Sequence, residues 1–277
     1  MSLNGFESAG HPGVGDGHDP FFRFTCVGDA SDLDTVYRIR YQVYCVERGL
    51  LDENDYPNEL ERDEFDACSL HMLATHRSGH PAGTARLVMP SPLGFPLMSH
   101  CVFSDDYAFL NDPSHPALAS FAEISRLAVS KAFRRREGDS VFGGPPRVDF
   151  GWPEGAEILS FVPPRNTPAI LIGLSRLLYQ ESKRNGITHW MLAMERGLYL
   201  MLRRLGFRYT PAGPDVDYFG PVRPYVTSVQ EFEIALHATF PATLRYLACG
   251  LESELVPDCI ESDGTGGRQE QELVRRA

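Results

Sequence analysis

Apolar and polar residues alternate from Phe21 to Val27, the period-two pattern of a half-buried strand. The period then lengthens. Leu33, Val36, Tyr37, Tyr41, Tyr44 and Cys45 form a stripe at helical spacing, and Ser31, with Asp34 three residues on, is the expected cap. Arg40 falls on that stripe, where an inward arginine needs an acidic partner or a long snorkelling path. Residues 47–67 are acidic, contain Pro57 and predict an irregular loop or short helix. Leu70–Thr75 and Gly83–Met89 read as strands joined by a turn near Gly79 and Pro81, and Phe121–Ser130 reads as another strand. Residues 133–162 are rich in glycine and proline, as in an insertion or mobile loop. Thr167-Pro168 and Gly186 bracket a helix whose buried face is Leu171, Leu174, Leu177 and Leu178. The pattern continues with a strand over Ile187–Met194 and a helix from Arg196 to Leu205, stopped by Gly206. Strands over Phe207–Pro211 and Arg223–Val229 follow, then a helix from Gln230 to Cys249. The order is mixed α/β, with at least one strand–helix–strand unit.

Composition narrows the class. The chain has 277 residues, 43% of them hydrophobic, which is enough for a substantial core. Residues 1–20 read as a flexible leader, 21–257 as one domain and 258–277 as a loose tail. No apolar run reaches the ~18 residues of a membrane helix, and no signal peptide is visible, so a cytoplasmic protein is expected. The six cysteines are scattered without CxxC spacing, which favours free thiols over a metal site or disulfide framework. A net charge of -11 argues against nucleic-acid binding. The charge is uneven, however. Lys131, Arg134, Arg135 and Arg136 form one basic cluster, and Lys183, Arg184, Arg203 and Arg204 form others. Such patches either dock an anionic partner or are solvated faces.

The segment LERDEFD places Glu61, Asp63 and Asp66 within six residues, and carboxylates this close need positive charge among them. Arg40, Arg86 and Arg126 supply it from apolar surroundings. Glu123 and Arg126 lie three apart on one apolar strand, so a shared side requires a β-bulge. A bulge would free backbone N–H groups able to stabilise an oxyanion. The set reads either as a buried ion-pair network or as a reaction centre. A carboxylate in an apolar strand has a raised pKa, which suits Glu123 as a general base.

These residues resemble those of the acyl-homoserine-lactone synthases and their GNAT-type relatives. The likeness rests on Arg40 and Tyr44 in RYQVY, Glu61, Asp63 and Asp66 in ERDEFD, Arg86 in TARLV, and Glu123 and Arg126 in EISRLAV. RYQVYCVERGLL, EISRLAVSKAFRRR, LYQESKRNGITHW and MLRRLGF are similar to the acyltransferases associated with exosortase/PEP-CTERM systems. The resemblance implies a mostly antiparallel twisted sheet flanked by helices. Its central strands, 121–130 and 187–194, would splay around an acyl-donor cleft. It implies N-acyl transfer of a fatty acyl group from a pantetheine thioester, on acyl carrier protein in preference to coenzyme A, to an amino acid or similar small amine. No permanently bound cofactor is implied. Glu123 and Glu61 would be catalytic, and Arg40, Tyr44, Asp63, Asp66, Arg86 and Arg126 would bind substrate or organise the site. Leu127, Val129, Arg134, Arg135 and Arg136 would bind the donor. RGLLDEN stands where lactone synthases carry a tryptophan, which points away from S-adenosylmethionine as acceptor.

Among the other residues, His71 and Trp190 read as structural. Tyr199 reads as core or as an acid for the leaving thiolate, and Met191, Met194, Leu198 and Met201 as core or acyl tunnel. The competing functions are a short-chain acyltransferase using coenzyme A and a non-catalytic acyl-binding module.

Overall fold

A computed structural model describes residue 19, residues 21–134 and residues 166–260. Most of the expected leader, of the expected tail and of the glycine- and proline-rich stretch lies outside them. Among the described residues, eight strands form one sheet: β1 (Phe22–Val27), β2 (Ser69–His76), β3 (Pro81–Val88), β4 (Phe121–Val129), β5 (His189–Met194), β6 (Thr210–Pro211), β7 (Val216–Asp217) and β8 (Pro221–Ser228). The order is β1-β2-β3-β4-β5-β8-β6, with β7 beside β8. All neighbours are antiparallel except β4 and β5.

The helices are α1 (Ala30–Tyr41), α2 (Lys131–Arg134), α3 (Asn166–Arg184), α4 (Arg196–Arg204), α5 (Val229–Thr239) and α6 (Pro241–Ala248). Alternation along the strands serves two cores. Ala122, Ile124, Trp190, Leu192 and Tyr225 pack with Leu174 and Tyr179 of α3 and Phe232 of α5. Phe121, Met191 and Val226 pack with Phe95, Leu97, Phe103 and Leu110 from the irregular segment between β3 and β4.

The α1 cap and the last helix differ from expectation, and the strand expected over Phe207–Pro211 is confined to Thr210–Pro211. Asp29, not Ser31, caps α1: it is extended, and its carboxylate accepts the Asp32 N–H at 2.9 Å. Ser31 already lies inside the first turn and donates its hydroxyl to Asp29. The expected helix over 230–249 is two helices. Pro241 has no N–H and excludes helical geometry from the preceding residue, and Phe240 sits at φ -143°, ψ 67°.

Candidate active site

The site forms where β4 and β5 part. They pair only over Phe121–Glu123 and His189–Met191. Beyond that point β4 is distorted. Arg86 faces Ser125 and Thr84 faces Ala128, so Arg126 and Leu127 together oppose Ala85. This is the bulge that the spacing of Glu123 and Arg126 requires. Arg126 takes φ 49°, a left-handed conformation uncommon outside glycine. The bulge turns its side chain toward the acidic loop.

A cavity of about 390 Å³ opens between the diverging strands. Its walls include Ile124, Leu127 and Val129 from β4 and Leu192 and Met194 from β5. Leu171, Ser175 and Leu178 of α3 and Leu198, Met201 and Leu202 of α4 close it further. Met191, grouped in the sequence with the tunnel candidates, packs instead in the core on the opposite face of the sheet. Trp190 both lines the cavity and donates its indole N–H to Ser182 Oγ at 2.8 Å. Tyr199 stacks on Tyr225 with ring centroids 4.8 Å apart and is not part of the lining.

Glu123 lies at the point where the strands separate. It is 1% exposed, yet it is one of the residues that line the cavity. Oε2 accepts the Leu97 backbone N–H at 2.8 Å, and Oε1 has no hydrogen-bond partner among the described residues. Burial pushes its pKa up to about 7, against the lowering effects of the Leu97 N–H and the Arg86 and Arg126 charges.

The remaining charges form one network. Arg40 donates to Glu61 and, at 2.7 Å, to Asp66. Arg86 donates to Asp63 at 2.6 Å, Asp66 at 2.7 Å and Ser125 Oγ at 3.0 Å. Arg126 donates to Glu61 and Asp63, both at 3.0 Å. A capping box closes the acidic loop, because Asp63 accepts the Phe65 N–H while Asp66 accepts the Asp63 N–H. Burial raises the pKa of Glu61 and Asp66, but the arginines outweigh it. Glu61 ends below its ordinary range and Asp66 at about 2. Glu61 therefore differs from its expected catalytic place: it is fully buried, both oxygens meet guanidiniums, and it does not line the cavity. Arg40, Asp63, Asp66 and Arg86 do not line it either, whereas Tyr44, Arg126, Leu127 and Val129 do. His71 is buried, with Nε2 3.4 Å from the Asp66 carbonyl.

Tyr44 reaches this place through a π-helical turn, Gln42–Glu47, that continues α1. Its hydroxyl donates to the Leu127 carbonyl at 3.2 Å, fixing the bulge. Arg48, just beyond, pairs with Glu195 across the mouth, and Leu50 and Leu51 join the rim. Several residues had no sequence signal. Leu97 acts through its backbone and comes from an aperiodic segment. Tyr218 and Phe219 stand at the β7–β8 turn and line the cavity, and Tyr218 stacks on His100 at 4.1 Å.

The expected donor residues separate. Leu127 and Val129 are cavity wall, Arg134 ends α2, and Arg135 and Arg136 lie outside the described residues. At the start of α2 the Lys131 N–H donates to the Glu47 carboxylate at 2.8 and 3.0 Å. An internal carboxylate thus occupies the N–H at the start of the basic run whose arginines were expected to bind the donor.

Residues 39–142 match the model of the acetyltransferase (GNAT) domain. No curated protein matches the chain by sequence. Among solved structures, TofI in a ternary complex with an inhibitor and MTA aligns at TM-score 0.52 and 18% identity, over 84% of this chain and 98% of that one. The AHL synthase LasI aligns at TM-score 0.50 and 17% identity, over 78% and 95%. FeeM, an N-acyl amino acid synthase from uncultured soil microbes, aligns at TM-score 0.52 and 13% identity, over 80% and 96%. At such identities the shared feature is the fold: a mixed α/β, mostly antiparallel sheet flanked by helices, with its central strands splayed.

Proposed function

We propose, from the premise of a GNAT acetyltransferase domain, that this chain is an N-acyltransferase. On this reading it moves a fatty acyl group from a pantetheine thioester to the amine of a small acceptor such as an amino acid. The observation that carries the proposal is Glu123, a buried carboxyl with a pKa of about 7 on the wall of an apolar cleft. An ammonium acceptor is not a nucleophile until it loses a proton. Glu123 takes that proton, directly or through one water, while Leu97 holds its other oxygen. The amine nitrogen then bonds to the thioester carbonyl carbon, and the carbon–sulfur bond breaks to release the thiol. The backbone N–H groups of the bulge at Arg126–Leu127 stabilise the intervening oxyanion. Ile124, Leu192, Leu198 and Met201 hold the acyl chain.

The arginine–carboxylate network works one layer back. Glu61 and Asp63 hold Arg126 at the cavity rim, and Arg40 and Arg86 hold the acidic loop. Arg126, 13% exposed at its side chain, presents positive charge to an acceptor carboxylate. The Glu47–Lys131 contact favours a carrier-protein donor over coenzyme A, whose phosphates would compete with that carboxylate. FeeM, by its name, uses an amino acid acceptor, and the same class is proposed here.

The test is to incubate the purified chain with acyl thioesters of graded length and a pool of amino acids, then to look for N-acyl products by mass spectrometry. Product is expected with wild type and not with Glu123→Gln. Identical yields from both would remove Glu123 from the mechanism, and no product with any donor would remove the function.

A further inference from the structure

We propose that the acyl group carries a hydroxyl near the end remote from its thioester, held by Ser175 and Tyr209 in the deep part of the cleft. The inference rests on the acyl-transfer reading above and names its donor more closely. Both residues line the cavity, and both side chains are half-buried. Neither hydroxyl has a hydrogen-bond partner among the described residues. Other hydroxyls on the same helix, α3, are matched. Tyr179 donates to Glu233 at 2.7 Å, and Ser182 donates to the Leu178 carbonyl at 2.7 Å while accepting the Trp190 indole N–H at 2.8 Å. A helical serine can satisfy itself on the carbonyl four residues back, as Ser182 does, but Ser175 does not. Burial raises the Tyr209 pKa above its ordinary value, so the phenol keeps its proton and can donate.

The surroundings of the two hydroxyls are apolar. Leu171, Leu178, Phe207 and Phe232 line this end of the cavity, and the Tyr209 and Phe232 rings have centroids 6.4 Å apart. Water can satisfy both hydroxyls while the cleft is open to solvent. A plain hydrocarbon chain would displace that water and return nothing, which strands two polar groups in an apolar setting. A chain that bears an oxygen at this level restores the bonds. Among the described residues, the cations that line the cavity are Arg48, at the mouth, and Arg126, at the bulge. A carboxylate at the deep end would therefore be buried without a counter-charge, whereas a neutral hydroxyl would not.

The fold sets where along the chain that oxygen lies. Glu123 alternates with Ala122 and Ile124, and it meets Leu97 on the face of the sheet that packs against the β3–β4 segment. Ser175 and Tyr209 belong to the opposite face, with α3 and Phe232 of α5. The acyl chain thus crosses the sheet where β4 and β5 part. A layer packed on a sheet lies about 10 Å from it. A hydroxyl next to the thioester stays on the Glu123 side, and one near the far end reaches Ser175 and Tyr209.

The experiment gives the full chain competing pantetheine thioesters of dodecanoate, β-hydroxydodecanoate and ω-hydroxydodecanoate, with a pool of amino acids as acceptors. Wild type should favour the ω-hydroxy chain over both others, by about tenfold in kcat/KM over the plain chain, the worth of one good hydrogen bond. Ser175→Ala/Tyr209→Phe should lose that preference and use the plain chain faster than wild type, because the groups a hydrocarbon would strand are gone. A gain with one chain and a loss with the other is not the signature of a folding defect. Tyr209→Phe alone keeps the ring and should weaken the preference in part, which covers a double variant that does not fold. Equal use of plain and ω-hydroxy chains by wild type, a preference for the β-hydroxy chain, or a preference that Tyr209→Phe keeps in full overturns the proposal. Absence of transfer from every thioester would instead sink the acyl-transfer reading. Calorimetry with free dodecanoate and ω-hydroxydodecanoate then decides the subsite by itself: equal affinities overturn it, and tighter binding of the hydroxylated acid that Tyr209→Phe weakens upholds it.

Discussion

Glu123→Gln is expected to stabilise the protein at alkaline pH while abolishing most of its activity. The carboxyl is 1% exposed, and burial pushes its pKa from 4.5 up to about 7. A carboxyl raised in this way keeps its proton in the folded chain after the unfolded chain has lost it. Its favourable contribution is complete below 4.5 and is lost as pH rises through about 7. At 1.36 kcal/mol per unit, the loss amounts to about 3 kcal/mol. Glutamine keeps the shape and can accept the Leu97 N–H through its amide oxygen, but it has no charge to desolvate. Urea unfolding at several pH values should therefore show the variant more stable than wild type at about pH 9, with the gap closing toward about pH 5. Over the same range wild-type kcat/KM should climb through a pKa near 7, and the variant should lose about 10²–10⁴-fold and that climb with it. Equal stability of the two proteins at high pH would refute the desolvated carboxyl. Full activity in the variant would refute its role in proton transfer.

Other parts of the site make separate demands. Arg40→Met leaves Glu61 and Asp66 short of a buried partner and should cost about 3–5 kcal/mol in denaturant unfolding. Asp66 is lowered from 3.8 to about 2, so its contribution is present above 3.8 and fades as pH falls toward about 2. Asp66→Asn should remove about 2 kcal/mol of that acid sensitivity, read by acid titration of fluorescence. Leu192→Trp narrows the cavity and should shift a mixed-length thioester competition toward shorter chains, by about fourfold per excluded methylene.

The fold was legible where local pattern and tertiary packing agree. The β1 alternation and the α3 leucine face needed only the period of the apolar residues. Arg40, Arg86 and Arg126 stood out because charge in an apolar run demands a partner, and the acidic loop supplied partners of the right number. The bulge followed from the three-residue step between Glu123 and Arg126, which a regular strand does not allow on one side. Other features leave no local trace. Leu97 contributes a backbone N–H, which every residue but proline carries, so its identity gives no signal. Glu47 meets Lys131 across 84 positions, a contact that no local pattern can show. Glu61 looked like its acidic neighbours, and only its burial between two guanidiniums separates it from Glu123. The break between α5 and α6 was legible at Phe240-Pro241 but hidden by an apolar pattern that continues through it.

Acyl transfer is tested most directly by following thiol release and amide formation together, with a fatty acyl thioester and an amino acid acceptor. Thiol should appear only when the amine is present, in equal amount to the N-acyl product, and Glu123→Gln should slow both alike. Thiol release without amine would make the chain a thioester hydrolase, and tight acyl binding with neither product would make it a carrier.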